Sequence, residues 1–271
     1  MMPDFKPGMS GRATLLVATL SWLLAWCLQV WGWDEPVFRW INRGGQWQPV
    51  LWASLSVVGL GLSALILMSA THVALRFQGT PWMQQRSDYL MGALLWALLL
   101  GGVATYGLKS WFATARPPAV LNDIEIIGQA LMNRSMPSGH AITAFTMAGL
   151  LLWVWRGQVG PRLLIWLVAA LIAVSRITTA AHWPSDVLAG MGVGLCVAWL
   201  ALYANHRCQS YFWLSRRFVQ TVWAVVLVGC GVAMLLDSTG YPMAWLVQWG
   251  LGLLGIVAGA AWLYRLVQRC D

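Results

Sequence analysis

Eight apolar stretches dominate the chain, near residues 13–33, 50–75, 89–112, 139–155, 162–180, 185–205, 218–236 and 243–264. Crossing the hydrocarbon of a membrane takes about 20 apolar residues in a helix. Inside lipid the backbone has no water to bond to, and a helix satisfies its own polar groups. The repetition therefore predicts an all-α, polytopic transmembrane helix bundle of about eight spans. The fourth and fifth stretches meet at a short turn marked by Arg156, Gly157, Gly160, Pro161 and Arg162, and Ser175 and Arg176 interrupt the end of the fifth. Hydrophobic residues make up 59% of the chain and charged residues 10%, against about 25% charged in a soluble protein. So few charges cannot cover a water-facing surface, which argues against a soluble enzyme, a nucleic-acid binder and a disordered chain. The 20 tryptophans suit the boundary between lipid and water.

The first stretch follows Lys6 and Arg12, as a signal peptide would. Its apolar run is longer than a signal core, and Trp26 before Cys27 does not suit a lipoprotein cleavage site. It is expected to remain as a membrane anchor. Five cysteines, at 27, 196, 208, 230 and 270, are widely spaced and form no C-x-x-C pair, so neither a disulfide framework nor a zinc site is expected.

Orientation follows from sorting the charges onto alternate sides. One side, including Lys6, Arg76, Arg156 and Arg265, takes eleven basic residues and three acids. The other takes six of each: Arg39, Arg43, Lys109, Arg116, Arg134 and Arg176 against Asp34, Glu35, Asp123, Glu125, Asp186 and Asp237. All of the +8 net charge thus lies on the first side. That side, with both termini, is expected in the cytoplasm, which puts the second side outside a bacterial inner membrane. No run of five basic residues occurs, so the charge does not indicate nucleic acid.

Three segments on the second side carry candidate chemistry. Lys109 and Arg116 lie seven apart, ahead of Pro117 and Pro118. If the helix continued they would share one face, two turns apart; each alone reads as a snorkelling anchor. Pro137-Ser138-Gly139-His140 precedes the fourth span. Ser138 suits an N-cap, and free N–H groups at a helix start seat anions; alone this is a capped helix with an incidental His. Ser175-Arg176 is followed by His182 and Asp186. The carboxylate can orient the imidazole and leave its other nitrogen free as nucleophile or base, and Arg176 offers a fork suited to phosphate oxygens. Alone this is a salt bridge near a helix start. Together the segments gather two histidines, a carboxylate, three cations and an anion seat on one side. Charges beside hydrocarbon are costly and usually functional.

The pattern K-x(6)-R-P, P-S-G-H and S-R-x(5)-H-x(3)-D, complete here from Lys109 to Asp186, resembles the type-2 phosphatidic-acid phosphatase superfamily. The resemblance implies a six-span phosphatase core over residues 1–205; a basic and aromatic linker and two additional spans over 206–271 lie outside it. It implies that His182 attacks phosphorus to form a phosphohistidine, that Asp186 orients and charge-balances His182, and that His140 serves as general acid and then base. Lys109, Arg116, Ser138, Gly139 and Arg176 would bind the phosphate oxygens. No metal and no cofactor is expected. The expected partners are membrane lipids and a lipid phosphate or pyrophosphate. Undecaprenyl pyrophosphate is the favoured substrate; phosphatidylglycerol phosphate, phosphatidic acid and a lipid A phosphate are the others. A phosphotransferase onto lipid A would use the same groups, and a lipid transporter or flippase that merely binds phosphate would have no need of an oriented nucleophile. The segment 118–136 reads either as a short amphipathic helix selecting the head group or as a plain connection. His72 reads as an interface residue, Asp237 as a helix-end acid, and 206–217 as an interfacial linker. Gly255 and Gly259 form a small-xxx-small pair that suits packing within one chain or between two.

Overall fold

The computed structural model describes residues 11–155 and 158–268. Asp4, Lys6, Arg156, Gly157, Arg269, Cys270 and Asp271, which entered the charge, turn and cysteine arguments, lie outside the described residues. Eleven α-helices follow one another among the described residues, with no strand. They are α1 (Gly11–Val30), α2 (Asp34–Arg43), α3 (Pro49–Val58), α4 (Gly61–Gln78), α5 (Pro81–Phe112), α6 (Pro117–Val120), α7 (Gly139–Val154), α8 (Val159–Thr178), α9 (Pro184–Cys208), α10 (Arg217–Leu236) and α11 (Trp245–Gln268).

Every apolar stretch is helical, yet they are not eight equal spans. Six helices are long and apolar enough to cross a membrane by themselves. The second stretch is two helices, α3 and α4, bent by 68°. The cause is local. A Cβ on Gly59 would lie 2.5 Å from Ile172 Cγ2 and 3.2 Å from the His140 ring, so only glycine fits there. At the break the Val57 carbonyl accepts from the Leu60 N–H at 3.2 Å and from the Ser63 hydroxyl at 2.6 Å, so the backbone there stays satisfied, as a break at membrane depth requires. The fourth stretch, α7, has 16 residues, about 24 Å of helix. It is packed among α5, α8 and α9.

Side chains between these helices are small where backbones approach closely, which is how helices associate when lipid offers no hydrophobic drive. α1 lies against α9, α8 against α7, and α4 against α5. α10 and α11 form a hairpin docked on α4 and α3. Gly255 packs on Gly231 and Gly259 on the Ala224 carbonyl, so the small-residue pair is used inside the chain. His72 differs from its expected interfacial position: it is buried, 3.2 Å from the Ser87 hydroxyl and against the Trp262 ring. The segment after α5 holds only the single turn α6; the remainder to Ser138 is extended or bent, not an amphipathic helix. Asp237 caps the end of α10. Exposed Trp31, Trp33, Trp40, Trp47 and Trp111 ring the end of the bundle that carries the three motif segments.

Candidate active site

The motif residues come from four separate places and converge at one end of the bundle. α5 stops at Phe112 because Ala113 takes a left-handed conformation. The helix does not carry on to Arg116, so Lys109 and Arg116 are not stacked on one helical face. Instead the chain turns back, and Arg116 N–H pairs with the Met132 carbonyl at 2.9 Å while Ser135 N–H pairs with Thr114 at 2.9 Å. Both cations then meet the same strand of carbonyls. Lys109 Nζ donates to Arg134 and Ser135 at 2.7 and 3.3 Å. Arg116 Nε donates to Asn133 at 2.8 Å.

Ser138 caps α7 as its sequence predicts, and its backbone N–H donates to the Asp186 carbonyl at 3.0 Å, tying the start of α7 to the start of α9. A Cβ on Gly139 would lie 3.9 Å from Lys109 Cε. His140, in the first turn of α7, has its Nε2 buried with no hydrogen-bond partner. Lys109, Arg116 and Arg176 are all near enough to act on it electrostatically.

Arg176 closes α8, and its carbonyl accepts from the N–H groups of both Ala181 and His182 at 3.0 Å. That turn fixes His182 in a buried position, 2% exposed. His182 Nδ1 lies 3.3 Å from Asp186 Oδ2. The same oxygen accepts from the Trp183 N–H at 2.9 Å and from the Ser135 hydroxyl. A carboxylate accepts only, so the network assigns the ring proton to Nδ1. Nε2 then carries the unprotonated lone pair, which accepts from Arg116 Nη1 at 3.2 Å. Arg116 Nη1 also donates to the Ala181 carbonyl at 2.7 Å. His182 sits between α8 and α9, outside the spans. Burial first, and then the fields of Arg116, Lys109 and Arg176, hold its pKa well below the ordinary 6.5, so the ring is neutral near pH 7.

Three residues in this site have no sequence motif. Ser135 steadies Asp186. Asp34, at the start of α2, accepts from the Ser185 N–H and hydroxyl at 2.9 and 2.5 Å and thereby holds the first turn of α9. Tyr241, between α10 and α11, accepts from Arg176 Nη1 at 2.6 Å. Only the run of acids at a span end hinted at Asp34; nothing local marked the other two.

From Lys109 and Gly139 a groove of about 460 Å³ runs between α4, α5 and α7, past Thr105, Thr143 and Met147 to Gly61 and Ala64. Its lining is mainly apolar away from Lys109 and Arg134. Among the described residues no group of three or more His, Cys, Asp and Glu side chains is placed to hold a metal ion.

The all-helical bundle thus gathers a buried, oriented imidazole and three cations at one end of a mainly apolar groove. Residues 90–210, which include every motif residue, match the PAP2 superfamily. An undecaprenyl-diphosphatase of Sulfolobus acidocaldarius is 32% identical over 111 residues, 39% of this chain and 48% of that one. A lipid A 1-phosphatase of Rhizobium johnstonii is 28% identical over 208 residues, 69% of this chain and 72% of that one. The chain spans about half the length of the Sulfolobus relative. The crystal structure of Aquifex aeolicus LpxE superimposes with a TM-score of 0.52 at 26% identity, over 63% of this chain and 94% of that one.

Proposed function

We propose that the protein is a lipid phosphatase that releases phosphate from a lipid phosphate or pyrophosphate through a phosphohistidine. The observation that carries this reading is the pairing of His182 Nδ1 with Asp186 while Nε2 stays unprotonated among three cations, its lone pair held by an Arg116 N–H that a phosphate oxygen can take over. A site that only binds phosphate has no need of an oriented, unprotonated nucleophile.

In the first step the Nε2 lone pair bonds to phosphorus and the bond to the departing lipid oxygen or phosphate breaks. The anionic substrate offsets the fields of Lys109, Arg116 and Arg176 and lets His140, whose Nε2 has no partner in the protein, take up a proton on binding and give it to that oxygen. Asp186 balances the positive charge that the ring gains. In the second step His140 takes a proton from water, the hydroxide oxygen bonds to phosphorus, and the P–N bond breaks to restore His182. Lys109, Arg116 and Arg176, with the Ser138 hydroxyl and the Gly139 amide, hold the equatorial oxygens; stabilising that spread charge is most of what a protein contributes to phosphoryl transfer. An incoming phosphate competes with the carbonyls of 133–135 and 181 for the Lys109 and Arg116 donors.

The apolar groove supports a substrate whose chain stays in lipid while its head reaches His182. A polyprenyl pyrophosphate is the favoured substrate, and the names of the Sulfolobus and Rhizobium relatives support a lipid pyrophosphate or lipid A phosphate. The excess of basic residues at the opposite end supports an inner-membrane orientation with the site facing outward. On this reading residues 1–205 form the phosphatase core, and 206–271 add the α10–α11 pair.

The test offers purified protein in detergent a panel of lipid phosphates and pyrophosphates, with and without a lipid A acceptor. Phosphate release that is lost in His182→Ala is expected. Release from no substrate by folded protein sinks the reading, and phosphate appearing on the acceptor instead of in solution makes it a transferase.

A further inference from the structure

The PAP2 match ends at residue 210, and α10 and α11 lie beyond it. The connection between them nevertheless enters the site. It is a built loop. Gln248 Nε2 donates to the carbonyls of Met234 and Asp237, both at 2.8 Å, and Gln248 Oε1 accepts from the Thr239 hydroxyl at 2.9 Å. The Gly240 carbonyl accepts from Gln129 N–H at 2.9 Å, in the segment that also presents carbonyls to Lys109 and Arg116. Gly128 makes this docking possible: its φ is +84°, and a Cβ there would collide with the Gly240 carbonyl and the Tyr241 ring.

So held, Tyr241 is 6% exposed and joins the apolar core shared with α3, α4 and α11. Its ring centroid lies 5.5 Å from the Arg176 guanidinium carbon, and its hydroxyl accepts from Arg176 Nη1 at 2.6 Å. Arg176 is itself 2% exposed, and its Nε has no partner within the protein. A buried arginine with one N–H anchored on a hydroxyl and another left open is aimed by that anchor. An unanchored Arg would spend rotamer freedom to reach the same pose.

We infer that Tyr241 is a positioning residue for Arg176, and that the α10–α11 hairpin is part of the oxyanion site instead of an accessory pair. The inference rests on the proposed reading of Arg176 as an oxyanion ligand. Tyr241 keeps one guanidinium arm while the others turn to the equatorial oxygens, so its effect falls on the five-coordinate state more than on lipid binding.

The experiment uses the full-length protein in detergent and inorganic orthovanadate, which mimics five-coordinate phosphorus. Vanadate affinity is measured by titration calorimetry in the wild type and in Tyr241→Phe, which keeps the ring in its core site and removes only the hydroxyl. Loss of a hydrogen bond to a charged group is expected to weaken vanadate about tenfold. In parallel, kcat for lipid phosphate falls by a similar factor with KM nearly unchanged. A purely structural role lowers the fraction of competent protein, which changes the titration's stoichiometry and leaves its affinity alone. Tyr241→Phe with wild-type affinity overturns the inference, as does a wild type that binds no vanadate. Tyr241-dependent vanadate binding in a wild type that releases no phosphate from any lipid sinks the functional reading and leaves this one standing.

Discussion

Replacing Asp186 with Asn tests the centre of the mechanism, and the structure sets its magnitude. Asp186 Oδ2 lies 3.3 Å from His182 Nδ1. For unit charges at that separation and an effective dielectric of about 20, the attraction is about 5 kcal/mol. With about half of the ring's positive charge developed at the transition state, about 2.5 kcal/mol is lost when the carboxylate becomes neutral, or about 10²-fold in rate. A larger loss, about 10⁴-fold, follows in a serine-protease triad when the amide inverts the histidine tautomer. Here inversion is opposed. The Trp183 N–H at 2.9 Å can only donate, so it holds an oxygen at the Oδ2 position. The amide oxygen therefore stays facing Nδ1, and the new NH₂ takes the Oδ1 position, which has no partner. The expectation is about a 10²-fold fall in kcat, with KM little changed. Phosphate release from a lipid pyrophosphate in detergent reads it. Activity within a few-fold of wild type refutes charge balancing by Asp186, and a loss near 10⁴ refutes the role given to the Trp183 N–H.

His140→Ala removes the proton donor and the base, worth about 10²–10⁴-fold. With a pyrophosphate, whose leaving group needs the acid least, acid-labile phosphate is expected to accumulate on the protein, and an unlabelled chain after quenching counts against the covalent step. Because the His182 pKa is held below 6.5, kcat/KM should not lose the nucleophile until the pH falls below that value; a half-point at or above 6.5 traced to His182 contradicts the burial argument. Above 6.5 the ring is neutral folded and unfolded and the depression leaves stability unchanged; below it stability falls, as acid lets the unfolded chain take up a proton that the folded site refuses. In Gly190→Ala the new methyl would lie 2.7 Å from the Ser138 carbonyl and 2.8 Å from Ala141 Cβ. Overpacking of this kind costs about 1–3 kcal/mol, so thermal unfolding in detergent should move to lower temperature, and an unchanged midpoint shows that α7 and α9 can separate freely.

Much of the site was legible in order along the chain. Ser138 caps a helix because its side chain competes for the first free N–H groups, and His182 and Asp186 are four apart across a helix start, so both relations are local. The Lys109–Arg116 relation stayed conditional for the opposite reason. A spacing of seven suggests a shared helical face only while the helix lasts, and Ala113 ends it. His72 looked interfacial because its neighbours in sequence are near a span end; Trp262, nearly two hundred residues away, buries it. Ser135 and Tyr241 carry no motif, since a single hydroxyl gains meaning only from the group it meets.

The chain's own order of residues determined that this is a helical membrane protein, how its charges divide between alternate connections, and which residues are candidates for the chemistry. Those properties follow from hydropathy, charge asymmetry and short spacings, all readable without knowing what lies nearby. Only the tertiary structure decided where the second span breaks, how Arg116 reaches His182, and that the last two helices lend Tyr241 to the site. Each depends on a contact between distant segments: Gly59 beside His140, a strand of carbonyls opposite Arg116, and Gly128 making room for Tyr241. Packing of that kind is set by shape and distance in three dimensions, which no local pattern encodes.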